Sequence, residues 1–90
     1  GTVILFDRFG NAITNISRAD LESRGIDRVF LHGGMEAKVC EHYAQLAGSG
    51  RVGAVWNSDG RLELSLYEQS LQARLGLELG EPVRVILRRR

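Results

Sequence analysis

A single cysteine, Cys40, excludes an internal disulfide. That fits a reducing cytoplasm, which is the expected compartment. Long apolar runs are also missing. The longest, Val3-Ile4-Leu5-Phe6, is far short of the roughly 20 residues a membrane-crossing helix needs. The start, Gly1-Thr2-Val3, has no basic segment followed by an apolar one, so no leader is expected. It also has no initiator methionine and reads as a fragment, the end of a longer protein. Charge of one sign is lacking too: the net charge is +1, with acids and bases interspersed. Basic residues gather only in the tail, at Arg84 and Arg88-Arg89-Arg90, and a nearly neutral domain draws little affinity from counterion release. No nucleic-acid or membrane partner is therefore expected. Cys40 and His42 share a strand face, but two ligands fall short of the three or four of a zinc site. They read as a buried thiol and a surface imidazole, and no metal is expected.

What remains is one small domain. Short, β-rich segments alternate with turn signals. Strands are predicted over residues 2–7, 12–16, 28–32, 35–40, 52–56, 61–67 and 82–87. The first reads as fully buried. In 61–67, Leu62, Leu64 and Leu66 fall on one side, with Glu63 and Ser65 on the other. Glu63 reads as a polar-face residue paired with a neighbouring arginine, and Trp56 as core or subunit interface. A helix is expected over 18–24, with Ser17 as N-cap and Gly25 as stop, and another over 69–75. Leu71, Leu75 and Leu77 are its candidate buried positions. Residues 43–50 read as a loop. Strands joined by short turns imply an all-β fold with one or two short helices, a small antiparallel barrel or sandwich.

Two polar turns stand out. Asp7-Arg8-Phe9-Gly10-Asn11, followed by Ala12-Ile13-Thr14-Asn15, sets an acid, an aromatic, a glycine and an amide between two apolar runs. A hairpin turn needs only the glycine and one amide. The surplus suits a flat, polar, cation-bearing ligand. The second turn, Asn57-Ser58-Asp59-Gly60, is expected to converge on the first. Plainer roles stay open. Asn11 tolerates left-handed turn geometry, Asp7 can cap the turn by accepting N–H bonds, Phe9 and Tyr43 can be core or interface aromatics, and Ser58 can be an ordinary turn residue.

These motifs resemble a known family. Asp7-Arg8-Phe9-Gly10-Asn11 with Thr14-Asn15-Ile16 is similar to the C-terminal domain of the S-adenosylmethionine hydroxide adenosyltransferases, the family that includes fluorinase and chlorinase. Asn57-Ser58-x-Gly60-x-Leu62-Glu63-Leu64 looks like that domain's second signature. The spacing from Tyr43 to Asn57 and the closing Leu75-Gly76 and Gly80-x-x-Val83 also match. The resemblance covers nearly the whole chain.

It implies a two-domain enzyme whose N-terminal α/β domain, absent from this chain, activates water. The active site would lie between subunits of a homotrimer. S-adenosylmethionine would be substrate, with no further cofactor, and this chain would hold its adenosine half. No catalytic residue is expected here. Asn11 would read the adenine, Phe9 and Tyr43 would flank it, Asp7 would pair with the methionine ammonium, and Ser58 would donate to its carboxylate. Ile13 stands where fluorinase has tryptophan, and Asp59 where it has an arginine on the substrate carboxylate. Glu68 lies in a segment, 67–70, bulkier than is usual there, and its contact to adenine would run through backbone. These departures favour the hydrolase branch. The alternatives are a non-catalytic β-barrel interaction module and a halide-using enzyme.

Overall fold

The structure, a computed structural model, describes residues 1–21 and 24–89. Seven strands form one sheet: β1 (Val3–Phe6), β2 (Ala12–Ser17), β3 (Ile26–Leu31), β4 (Glu36–Val39), β5 (Gly53–Trp56), β6 (Arg61–Ser65) and β7 (Val83–Leu87). One short helix, α1 (Leu71–Leu75), and two single 3₁₀ turns, Arg18–Leu21 and Tyr43–Leu46, complete the elements. The sheet order is β1-β2-β6-β5-β4-β3-β7. The sheet curls into a half-barrel, and a Thr2–Pro82 bridge brings its two edge strands together. There the Val3 amide donates to the Glu81 carbonyl at 2.9 Å, and the Gly80 amide to the Val3 carbonyl at 2.8 Å.

The all-β class is as expected. Every pairing is antiparallel but one, because Lys38 and Val39 of β4 run parallel to Gly53 and Ala54 of β5. A parallel pair cannot be closed by a hairpin and needs a crossover of about a dozen residues. Residues 40–52 are that crossover, and the Tyr43–Leu46 turn sits within it.

Alternation fills the inside of the curl. Leu62, Leu64 and Leu66 point inward beside Val3, Ala12, Val29, Ala37, Ala54 and Val83. Each fully buried leucine contributes about 1.5–3 kcal/mol relative to exposure. Thr14, also fully buried, donates its hydroxyl to the Leu62 carbonyl at 2.8 Å, so no polar group is stranded there. A second, smaller cluster of Cys40, Leu46 and Val55, with Tyr67 against it, lies on the outer face.

Three expectations need correcting. β1 is not buried throughout: Ile4 and Leu5 are 41% and 46% exposed, because a register shift between Val3 and Leu5 breaks the alternation in this edge strand. The helix expected over 18–24 is a 3₁₀ turn over Arg18–Leu21, with Ser17 still in β2; Glu22 and Ser23 lie outside the described residues, as does Arg90 of the basic tail. Residues 43–50 are not simply loop, since Tyr43–Leu46 is helical. Leu71 is fully buried, and Leu75 and Leu77 pack against the core as expected. Trp56 likewise packs on the core. Among the described residues no helix is long and apolar enough to cross a membrane.

Candidate functional site

The turn 7–11 is built by Asp7. Its Oδ1 accepts the Phe9 amide at 2.9 Å and the Asn11 amide at 3.0 Å. Its Oδ2 accepts from the Asn11 side-chain nitrogen at 3.1 Å. A carboxylate only accepts, so this bond fixes which end of the Asn11 amide is nitrogen. The nitrogen faces Asp7, which leaves one N–H and the oxygen as a donor–acceptor pair for something else. Gly10 closes the turn at φ +82, and a side chain there would strike the Ser70 hydroxyl. Its carbonyl takes the Gln72 amide at 2.9 Å, which ties the turn to α1. Phe9 is left 64% exposed, with the Arg8 guanidinium 4.8 Å above its ring.

The opposite wall is the chain from β6 into α1. Glu68 has φ +55, the one positive value outside glycine among the described residues. A side chain there costs about 1–2 kcal/mol. Tyr43 spans this bend. Its hydroxyl donates to the Leu66 carbonyl at 3.2 Å and accepts the Glu68 amide at 2.7 Å. Its ring rests on Tyr67, with centroids 5.2 Å apart. The turn that carries Tyr43 is closed by Gln45, whose Oε1 accepts the Glu41 and His42 amides at 2.6 and 3.0 Å. It is seated on the sheet by Leu46, which lies over Gly53 where any side chain would collide.

Between these walls opens a cleft of about 560 Å³, lined by Phe9, Asn11, Tyr43, Glu63, Glu68, Gln69 and Ser70. That is within the range of small-molecule sites. Glu63 forms the floor. It pairs with Ile13 across the β2–β6 ladder and accepts a long bond, 3.4 Å, from the Ser65 hydroxyl. Burial, then the neighbouring Asp7 carboxylate, push its carboxyl up from the ordinary 4.5; the Ser65 hydroxyl opposes them. Among the described residues the expected arginine partner is not there. The ion pair the structure shows is Arg28–Glu36, at 3.7 Å on the far strands.

The second turn does not converge on the first. Asn57 organises it, with Oδ1 accepting the Asp59 and Arg61 amides at 2.9 and 3.0 Å. Ser58 and Asp59 are exposed at its tip. It lies beside Ser17, which pairs with Arg61, whereas Asn11 adjoins Ala12, which pairs with Leu64. The two turns therefore cap opposite ends of the β2–β6 ladder, roughly 15 Å apart at one strand rise per residue. Ile13 and Glu63 lie between them on the outward face. A larger groove of about 1040 Å³ opens past Trp56 and Asn57, but Arg18, Asp27, Arg28, Glu36, Lys38 and Glu41 line it with charges of both signs.

Residues 1–84 match the family described as SAM hydroxide adenosyltransferase C-terminal domain. The chain belongs to this family. It is 37% identical over 86 residues to the (R)-S-adenosyl-L-methionine hydrolase of Thermus thermophilus, spanning 96% of itself and 31% of that protein. A solved structure of a conserved hypothetical protein from the same organism superposes with a TM-score of 0.79 at 37% identity, over 96% of this chain and 34% of that one. A conserved protein of Thermotoga maritima shares the fold, with a TM-score of 0.73 at 24% identity over 96% of this chain and 35% of its own. The chain thus spans about a third of the length of the relatives it matches.

In this SAM hydroxide adenosyltransferase C-terminal domain, Phe9, Asn11, Tyr43 and Glu68 of the residues singled out from sequence line one cleft. Asp7 lies behind it, Ile13 alongside, and Ser58 and Asp59 at the far end of the ladder. Glu63, read from sequence as a polar-face residue, and Gln69 and Ser70, in the bulky 67–70 segment, line the cleft without having been given a site role. The signal for Glu63 was its place opposite Leu62 and Leu64 in the alternation. That became a cleft position only once β6 was known to pair with β2, an element some 45 residues away.

Proposed function

We infer that this domain holds the adenosine half of S-adenosylmethionine in the Asn11 cleft, as part of an enzyme that hydrolyses it to adenosine and methionine. One observation carries the reading in a chain of this family. Asp7 fixes the Asn11 amide so that a donor and an acceptor stand at the mouth of an aromatic-walled cleft. Adenine offers the complementary amine and ring nitrogen on one edge. A base that leaves Asn11 unpaired is rejected, because a buried polar group without a partner is costly. Phe9, exposed beside it, supplies a face for stacking, worth about 1–3 kcal/mol where bases stack on aromatics in single-strand binders.

The sulfonium lies beyond the ribose, and the amino-acid end runs along the outward face past Ile13 and Glu63 toward Ser58 and Asp59. Asp59 cannot attract a carboxylate, so Ser58 and the backbone of that turn are the groups left to meet it. In the reaction the oxygen of water or hydroxide bonds to C5′ while the C5′–S bond breaks. Its electron pair returns to sulfur, which becomes the neutral thioether of methionine. Sulfonium is already a good leaving group, so alignment of the nucleophile is the main task. This domain aligns. The remaining two-thirds of such an enzyme supply the base that takes the proton, in an N-terminal α/β domain and across subunits of a homotrimer.

The test uses the full-length protein. Asn11→Ala raises KM for S-adenosylmethionine roughly tenfold or more, because two hydrogen bonds are lost. An unchanged KM removes Asn11 from the site. Adenosine formation followed with and without chloride separates hydrolysis from halide transfer. No turnover by an intact, folded protein would favour a non-catalytic interaction module.

A further inference from the structure

Tyr43 reads from sequence as a stacking aromatic, but its hydrogen bonds say something different. Its hydroxyl joins the two backbone groups that bracket the bend at Glu68, the Leu66 carbonyl and the Glu68 amide. Its ring already packs against Tyr67, at a tilt of 34°. The bend it spans contains the strained Glu68 backbone and supplies three of the seven residues that line the cleft: Glu68, Gln69 and Ser70. Other bonds at this bend are weak. The Gln69 amide reaches the Leu66 carbonyl only at 3.3 Å. The bond through Tyr43 is the shortest there, and it comes from a segment far away in sequence. Strained backbone of this kind persists where its surroundings over-determine it.

We propose that Tyr43 is a positioning residue that acts through its hydroxyl, clamping the 66–69 bend into the left-handed shape that forms the adenosine-facing wall of the cleft. This rests on the reading of the cleft as an adenosine site. It differs from a stacking role in what each atom does. Stacking needs the ring and not the hydroxyl. Clamping needs the hydroxyl, and only because residue 68 is not glycine. Glycine adopts positive φ without steric cost and needs no clamp to hold it there.

The experiment is a double-mutant cycle on adenosine binding to the full-length protein, by calorimetry, with circular dichroism to show that each variant is folded. Tyr43→Phe keeps the ring and weakens binding roughly tenfold, the effect of losing the two bonds its hydroxyl makes. Glu68→Gly alone, which also removes a cleft-lining side chain, supplies the reference affinity for the cycle. Tyr43→Phe in the Glu68→Gly background costs nothing further, so the two effects are coupled. A merely structural tyrosine would not be rescued by a glycine at the bend. Binding unaltered by Tyr43→Phe but weakened by Tyr43→Leu overturns the clamp in favour of stacking. So does a Tyr43→Phe loss that Glu68→Gly leaves in place. Wild-type protein that fails to bind adenosine overturns the adenosine reading itself. Amide exchange over the 66–69 bend then decides the clamp alone: faster exchange in Tyr43→Phe upholds it, and an unchanged rate overturns it.

Discussion

Asp7 directs both its carboxylate oxygens into its own turn, yet its charge is felt beyond it, at Glu63. The two acids are close enough to repel, and the half-buried one, Glu63, is harder to ionise. The consequence for stability has a definite sign. Below the ordinary value of 4.5, Glu63 is protonated whether the chain is folded or not. Between 4.5 and its raised value only the folded state keeps the proton, so stability falls as pH rises through that window. Above it, Glu63 is charged in both states and the folded protein carries the full cost. Glu63→Gln keeps the shape without the charge. It is expected to melt higher than wild type at pH 7, with the gap closing as the pH is lowered to about 4. A gap of equal size at both values would show that Glu63 is not strained by its surroundings. Asp7 itself was legible in sequence as either a turn cap or a ligand. Its three accepted bonds show the capping, with Asn11 as a group it orients.

The Tyr43–Leu46 turn is the element on which the cleft depends most, and it rests on a single glycine. Leu46 lies over Gly53 so closely that a methyl group there would overlap it. Gly53→Ala must push Leu46, and the turn with it, away from β5. Overpacking of this kind costs about 1–3 kcal/mol. The measurement is urea unfolding of the variant together with its adenosine affinity. Both are expected to fall, whereas Val29→Ala, on the inner core, lowers stability and spares affinity. Strand positions were readable because β-branched and leucine alternation is local. This turn was not, because Tyr43-Ala44-Gln45-Leu46 has no helical period to read. Its helicity comes from Gln45 bonding back to the Glu41 and His42 amides and from Leu46 finding Gly53, and the second of these is a tertiary event. The start of the helix expected over 18–24 is shaped by a tertiary event too, since Ser17 pairs with Arg61 and the Arg18 amide donates to the Gly60 carbonyl at 2.8 Å, which ties the entry of the Arg18–Leu21 turn to the ladder.

At the scale of the whole molecule, the described residues form two cores on opposite faces of one curled sheet, a large one inside and a small one of Cys40, Leu46 and Val55 outside. The inner core was legible from Leu62, Leu64 and Leu66, because one strand's alternation is enough to define a face. The site was half legible. The turn 7–11 is contiguous and carries its own chemistry, whereas the opposite wall is assembled by pairing β2 with β6 and by a crossover from β4 to β5. No local pattern encodes either. The convergence of the two polar turns was misjudged for the same reason: their separation is a property of the ladder, not of the chain between them. Cys40 sits in the outer core, only 6% exposed, as the one thiol of the chain. That makes it a natural chemical clock. A thiol-specific reagent can reach it only when the outer core opens, so its labelling rate counts those openings. If adenosine braces the walls that stand on this core, saturating adenosine slows the labelling of Cys40; a rate indifferent to adenosine would mean that the cleft and the small core behind it open independently.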